Sequence, residues 1–178
     1  MRGRLAHPDQ SVRRRLEVTA SQAPFATVFS CIDSRVPPEV VFDRGIGDLA
    51  VIRTGAQVLD EGIVIGCVEF ARDHLGTPLI LVMGHQRCGA VKAAIGAIES
   101  GGTAPGHIGA IVDALRPAYD AAKPQSGDLL DNMVRAQTTL TVARLKSDPL
   151  LIEFIDRGEL DVRGAYYSLD TGAVSLTT

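Results

Sequence analysis

Three short runs of consecutive apolar residues punctuate the first half of the chain, at 25–29, 49–52 and 78–83. A run that is apolar on both sides of its pleat predicts a strand buried between two layers, as strands of parallel sheets are. Between the runs the period becomes helical: 61–74 carries Ile63, Val64, Cys67, Val68, Phe70 and Ala71 until Gly76-Thr77-Pro78 stops it, and 88–98 follows the third run as a second helix. Alternating strands and helices predict right-handed crossovers and an α/β fold, a parallel β-sheet core with flanking helices. In such sheets ligands gather beyond the carboxyl ends of the strands.

The later half reads as helical over 108–122, 129–145 and 149–155, and then as a hairpin on the sheet edge, 160–169 and 173–176 joined by Asp170-Thr171-Gly172. The one breaker-rich loop is 101–109. Residues 1–24 are polar, hold Pro8 and Pro24, and read as an N-terminal arm with a helical turn or two over 11–19, leaving 25–178 as a single α/β domain.

Composition narrows the function. The chain has 178 residues, 46 % of them apolar, enough for one sizeable core, and a formal charge of -3 with no basic cluster beyond Arg13, Arg14 and Arg15, so no nucleic-acid partner is expected. No apolar stretch approaches the roughly 20 residues of a membrane span, and the N-terminus lacks the apolar core of a signal peptide, so the expectation is a soluble, cytoplasmic protein with no membrane partner. Its three cysteines cannot all pair with one another, and each is judged on its neighbours. Cys67 falls among the apolar positions of its helix and is expected in the core. His7, His74 and His107 stand in polar or breaker-rich surroundings and are expected at the surface, as are Arg13 to Arg15 on a solvated face of the arm.

The first strand runs into Cys31-Ile32-Asp33-Ser34-Arg35, and the third into Gly84-His85-Gln86-Arg87-Cys88-Gly89. If those strands are neighbours, Cys31, His85 and Cys88 converge at one strand-end crevice. Taken singly, a strand-end Cys is usually a small core residue and a loop His usually a hydrogen-bonded one. Together, two thiolates and an imidazole suit Zn²⁺ and leave its fourth position open, the mark of a catalytic site. Asp33 and Arg35 strengthen the case, because an acid and a base at an apolar strand end need each other for neutralisation.

These segments resemble a known family. Cys-x-Asp-Ser-Arg after a first strand and His-x-x-Cys-Gly after a third are the paired signatures of β-class carbonic anhydrases. The likeness extends to Gln22-Ala-Pro, Arg35-Val-Pro-Pro-Glu39, Gly47-Asp48, Arg53 and Gly89-Ala-Val. The resemblance implies one Zn²⁺ per chain on Cys31, His85 and Cys88, and an Asp33–Arg35 dyad that orients a zinc-bound hydroxide for attack on carbon dioxide, yielding bicarbonate and a proton. It implies a homodimer or dimer of dimers, with Gln22 reaching substrate across the subunit interface and the Gly89 amide, at a helix N-terminus, suiting an anionic oxygen. In part of the family Asp33's counterpart itself ligates zinc in a closed form. An open site at neutral pH is expected here.

The chain departs from the family at Ala50, where an aromatic usually lines the carbon dioxide pocket, at Phe70, where Tyr is common, and at Gly55-Ala56-Gln57, where Ala-Gly-Asn is usual. Little of the helix that usually precedes Gln-x-Pro in the family is expected in the short arm. Two alternatives stay open: hydrolysis of carbon disulfide or carbonyl sulfide in a pocket that Ala50 widens, and a non-catalytic zinc module in which Asp33 fills the fourth position.

Overall fold

The computed structural model of the chain describes residues 5–102 and 104–177; residues 1–4 of the arm and Thr103 of the 101–109 loop lie outside them. Its strands are β1 (Ala26–Cys31), β2 (Leu49–Thr54), β3 (Leu79–His85), β4 (Asp161–Tyr167) and β5 (Val174–Thr177). They form one five-stranded sheet in the order β2-β1-β3-β4-β5. β1 pairs parallel with β2 and β3, β3 pairs parallel with β4, and only β5 runs antiparallel, at the edge. The buried runs therefore became parallel strands, and the terminal hairpin contributes one strand to the parallel set and one to the rim. Two strands run further than the apolar pattern reaches, so that Cys31 and His85 are the last residues of β1 and β3.

The helices are α1 (Val12–Glu17), α2 (Pro38–Val41), α3 (Ile63–Asp73), α4 (Gly89–Ser100), α5 (Ile108–Ala122), α6 (Leu129–Lys146) and α7 (Pro149–Asp156), with a 3₁₀ turn at Gly55–Gln57. On one face of the sheet Val28, Leu81 and Met83 pack with Val91 and Ala94 of α4, Leu115 of α5 and Met133 of α6. On the other, Phe29, Ile80 and Val82 pack with Val68 of α3 and Leu151 of α7. Burying side chains of this size contributes roughly 1.5–3 kcal/mol each.

Two expectations are corrected. Cys67 is exposed, not in the core. The helix α3 buries Ile65, Val68 and Ala71, while Ile63 (82 % exposed) and Phe70 (50 %) lie on its outer side with Cys67. It is apolar on two faces, so periodicity alone could not choose the inner one. Arg14 is not a merely solvated residue either: its Nε donates to the Ile46 carbonyl at 3.0 Å and its Nη2 to Asp48 at 3.3 Å, tying the arm to the 43–48 loop. The backbone N–H groups of Ala6 and His7 donate to Asp43 in the same place, at 2.7 and 3.0 Å. His7, His74 and His107 are exposed as expected.

α6 lies against β3 and β4 where both present glycine. A Cβ on Gly84 would sit 2.5 Å from Thr138 Oγ1 and 2.9 Å from Val134 Cγ1, and one on Gly164 would meet Thr138 Cγ2 at 3.2 Å. Neither Thr138 nor Val134 can swing aside, since each is branched at Cβ and buried. Gly84→Ala should therefore lower unfolding free energy by about 1–3 kcal/mol through overpacking. Gly66→Ala on α3, where nothing lies within 4 Å of the added methyl, should raise it by about 0.5–1 kcal/mol. Denaturant melts of the two variants beside the parent test the contrast, and equal midpoints would contradict it.

Candidate metal centre

Because β1 and β3 are neighbours and end at the same side of the sheet, Cys31 and His85 arrive together there. Cys88 joins them as the N-cap of α4, with φ -61° and ψ 121°. All three are buried, and their ligand atoms lie within 4.8 Å of one another. The sulfurs of Cys31 and Cys88 are 3.8 Å apart. A tetrahedral metal with sulfur bonds of about 2.3 Å requires an S···S edge of about 3.8 Å. His85 Nδ1 stands 3.0 Å from the Gln86 carbonyl, which can only accept, so Nδ1 carries the proton and Nε2 keeps its lone pair. That Nε2 is fully buried and has no hydrogen-bond partner among the described residues. A buried lone pair aimed at two sulfurs, with its tautomer fixed from the far side of the ring, fits a divalent soft-to-borderline metal.

Without metal, the two thiols share one proton. Cys31 is drawn well below the ordinary thiol range, chiefly by the hydrogen bond from Cys88, with burial acting against it. Cys88 is pushed up by holding that proton against Cys31 and by its own burial. A backbone donor also reaches Cys31: the N–H of Ala56 lies 3.3 Å from its Sγ. This amide is presented by two consecutive left-handed residues without glycine, Ala56 (φ 53°) and Gln57 (φ 45°). Each costs roughly 1–2 kcal/mol of backbone strain.

Asp33 and Arg35 meet beside the cluster. Arg35 Nε donates to Asp33 Oδ1 at 2.9 Å and Nη2 to Oδ2 at 2.6 Å, while the Arg35 backbone N–H reaches Oδ1 at 3.0 Å. Arg35 also donates to the Arg87 carbonyl at 3.1 Å. The Arg35 hydrogen bonds hold the Asp33 carboxyl at about 2, below its ordinary 3.8. Asp33 Oδ2 lies 3.8 Å from His85 Nε2, so the carboxylate borders the space that the three ligand atoms enclose. Arg53 pins the loop from β2, its Nε to the Cys31 carbonyl at 2.8 Å and its Nη2 to the Asp33 carbonyl at 2.6 Å. From the hairpin side, Gln86 N–H donates to the Tyr167 carbonyl at 2.9 Å, Gln86 Nε2 donates to Asp170 at 2.8 Å, and Arg87 pairs with Asp170.

Of the other residues singled out from the sequence, Gly89 stands beside the cluster as the first residue of α4. Gln22 lies at the opposite end of the sheet, in a cleft with Val18, Ile46 and Gly47. Ala50 pairs in register with Thr27, four residues before Cys31 and so roughly 13 Å away along the strand. Phe70 stacks on His74 at the outer side of α3, with ring centroids 4.5 Å apart. Sequence reasoning gave no role to Ala56, Arg53, Gln57 or Asp170. Arg53 was noticed only as part of a motif, and a backbone amide leaves no mark in side-chain patterns.

The family model described as carbonic anhydrase matches residues 26–174. Carbonic anhydrase 2 of Mycobacterium tuberculosis is 39 % identical over 175 residues, which cover 98 % of this chain and 84 % of that protein. The carbonic anhydrase of Mycolicibacterium smegmatis is 37 % identical over the same shares. Among solved structures, a Coccomyxa β-carbonic anhydrase in complex with acetazolamide matches with a TM-score of 0.80 at 30 % identity, covering 90 % of this chain and 75 % of that one. A β-carbonic anhydrase from a study of two tetrameric enzymes of Sordaria macrospora matches in fold with a TM-score of 0.82 at 22 % identity, covering 91 % and 84 %.

The Asp33–Arg35 pair has a definite pH signature in metal-free protein. A carboxyl whose pKa is lower folded than unfolded adds stability that is complete above its ordinary 3.8 and disappears as pH falls through about 2. Carbon-detected NMR titration should give an Asp33 midpoint near 2, moving back toward 3.8 in Arg35→Ala. A parental midpoint at or above 3.8 would contradict the pairing.

Proposed function

The chain belongs to the carbonic anhydrase family, in its β class, and we propose that it hydrates carbon dioxide reversibly to bicarbonate and a proton at one zinc ion held by Cys31, His85 and Cys88. Carbonate dehydratase activity follows from the family. The choice of metal and the roles of individual residues are our reading. One observation carries it: three buried soft-to-borderline donors converge, one of them a fully buried imidazole nitrogen with no partner among the described residues.

When bound, zinc supplies a Lewis acid that acidifies water at its remaining position. The protein's own groups supply direction. Asp33, ionised and hydrogen-bonded, is an acceptor bordering the ligand cluster and orients the nucleophile's remaining hydrogen away from the carbon to be attacked. Arg35 keeps the carboxylate charged and engages both of its oxygens, which supports an open site over one that Asp33 closes and over a non-catalytic zinc module. The Gly89 N–H, first in α4, suits the developing bicarbonate oxygen. No contact of Ala50 favours a sulfur substrate.

Gln22, Ala50 and Phe70 contribute to substrate binding in this reading only from a second copy, as Gln22 stands at the far end of its own sheet. We infer a homodimer, or a dimer of such dimers, formed by the 25–178 domain with its N-terminal arm. Exposed Ile63 and Phe70 on α3 and Val12 and Leu16 on α1 support such a contact. Among the described residues no helix is long and apolar enough to cross a membrane. A cytoplasmic setting suits ligand thiols that must remain reduced.

Purified protein should contain one zinc per chain by elemental analysis, lost in Cys31→Ser, His85→Ala or Cys88→Ser and kept in Cys67→Ser, whose thiol is exposed and outside the cluster. Zinc retained in Cys88→Ser would disprove the ligand set. In stopped-flow assays Asp33→Asn should keep its zinc and lose about 10²–10³ of kcat, because the amide can offer a donor where an acceptor is required. Parental turnover in that variant would remove Asp33 from the mechanism.

A further inference from the structure

The left-handed pair Ala56-Gln57 is strained, and such backbone persists only where its surroundings hold it. The holding groups lie on α6. Gln57, 2 % exposed, donates from Nε2 to Thr138 Oγ1 at 3.1 Å, and its backbone carbonyl accepts from Thr141 Oγ1 at 3.4 Å. The Thr138 hydroxyl is used in both directions, because it also donates to the Val134 carbonyl at 2.9 Å. Gln137 steadies Thr141 through a 3.2 Å bond from its Nε2. Thr138 is fully buried and sits in the notch between Gly84 and Gly164.

Thr138 thereby touches two segments that bear on candidate ligands. Gly84 immediately precedes His85. Gln57 immediately follows Ala56, whose N–H reaches Cys31 Sγ. We propose that Thr138 and Gln57 are positioning residues of the metal centre: their hydrogen bond holds the strained turn that keeps the Ala56 amide on Cys31 Sγ, and so sets how strongly that sulfur donates to the metal. The proposal rests on the zinc reading above. A sulfur that accepts an N–H bond is a weaker donor than a bare thiolate, and it is fixed in direction. Turning the hydroxyl into a methyl removes the acceptor for Gln57 while keeping the branched shape, so the carboxamide is left buried without its partner and the turn relaxes.

The test uses the full chain with Co²⁺ in place of zinc, because the thiolate-to-cobalt charge-transfer band reads the electron density on sulfur independently of turnover. Thr138→Val should shift that band to lower energy, because the freed sulfur is the stronger donor, and speed metal release to a chelator about tenfold, because that sulfur is no longer fixed in direction. Gln57→Met should do the same from the other side of the bond, and it carries the test if Thr138→Val fails to fold. Thr138→Ser, which keeps the hydroxyl, should restore both the band and the release rate. A parental band and release rate in Gln57→Met or Thr138→Val would overturn the proposal, as would a Thr138→Ser variant as impaired as Thr138→Val, since packing alone would then explain the effect. A parent with no thiolate–cobalt band would sink the zinc reading itself, and this proposal with it, before any variant is made.

Discussion

Two sulfurs buried 3.8 Å apart cannot both be anions unless a cation joins them. At an effective dielectric constant of about 20, two unit charges at that separation repel by roughly 4 kcal/mol, before the desolvation of each is counted. The opposed displacement of the two thiols' acidities expresses that conflict, one drawn down and the other pushed up. A divalent ion removes it, because each thiolate then faces a positive charge instead of its twin. His85 completes the demand: a buried imidazole with its far nitrogen committed to the Gln86 carbonyl has a lone pair on its near side and no hydrogen-bond partner for it among the described residues. The remaining architecture serves to hold these donors at that spacing.

A parallel sheet provides the framework. Neighbouring strands that run the same way end at the same edge, so residues far apart in sequence meet there, as Cys31 and His85 do. The turn into α4 brings Cys88 back to the same point within three residues. Each ligand segment is then fastened by a different neighbour. Arg53 holds the Cys31–Asp33 loop through backbone carbonyls, the hairpin holds Gln86 and Arg87, and α6 bears on the residue before His85. These fastenings fall on backbone groups and on side chains other than the ligands, and so leave the ligand atoms to one another and to the Ala56 N–H. The strain at Ala56 and Gln57 is tolerable because it is confined to a turn whose polar groups are bonded on α6.

Much of this was legible in the sequence, for identifiable reasons. Apolar runs without alternation required a sheet buried on both faces, and Cys31, His85 and Cys88 sit where those runs stop. The Asp33–Arg35 pairing could be read from spacing, since two residues in a turn bring their side chains together. Strand ends were harder to read: Ser30-Cys31 and Gly84-His85 still belong to the ladder although the apolar pattern has faded. On α3 the error over Cys67 came from an apolar surface on both sides of the helix, of which only one packs within the chain. The fastening of Cys31 was out of reach because its donor is a backbone N–H on a turn whose left-handed φ angles fall on Ala and Gln instead of glycine. Gln22, Ala50 and Phe70 were read from resemblance alone, and none of them stands beside the ligand cluster of its own chain.

The Asp33 carboxylate is the point where these constraints compete. Its Oδ2, 3.8 Å from His85 Nε2, is near enough to the candidate ligand cluster to act either as an acceptor beside it or as a further ligand to an ion held there. Arg35 decides between them by occupying both oxygens, and Arg35 is itself directed by the Arg87 carbonyl. Arg87 adopts a left-handed φ of 54° and is held by Asp170 in the hairpin. The ligands are buried, whereas this restraining series is half open to solvent: the Arg35 and Arg87 side chains are 50 % and 56 % exposed. Charges so exposed are screened by salt, and each contributes modestly. The candidate ligand cluster and the Asp33–Arg35 pair beside it are therefore governed by different physics: the first by buried donors that solution conditions barely reach, the second by surface charges that they reach readily.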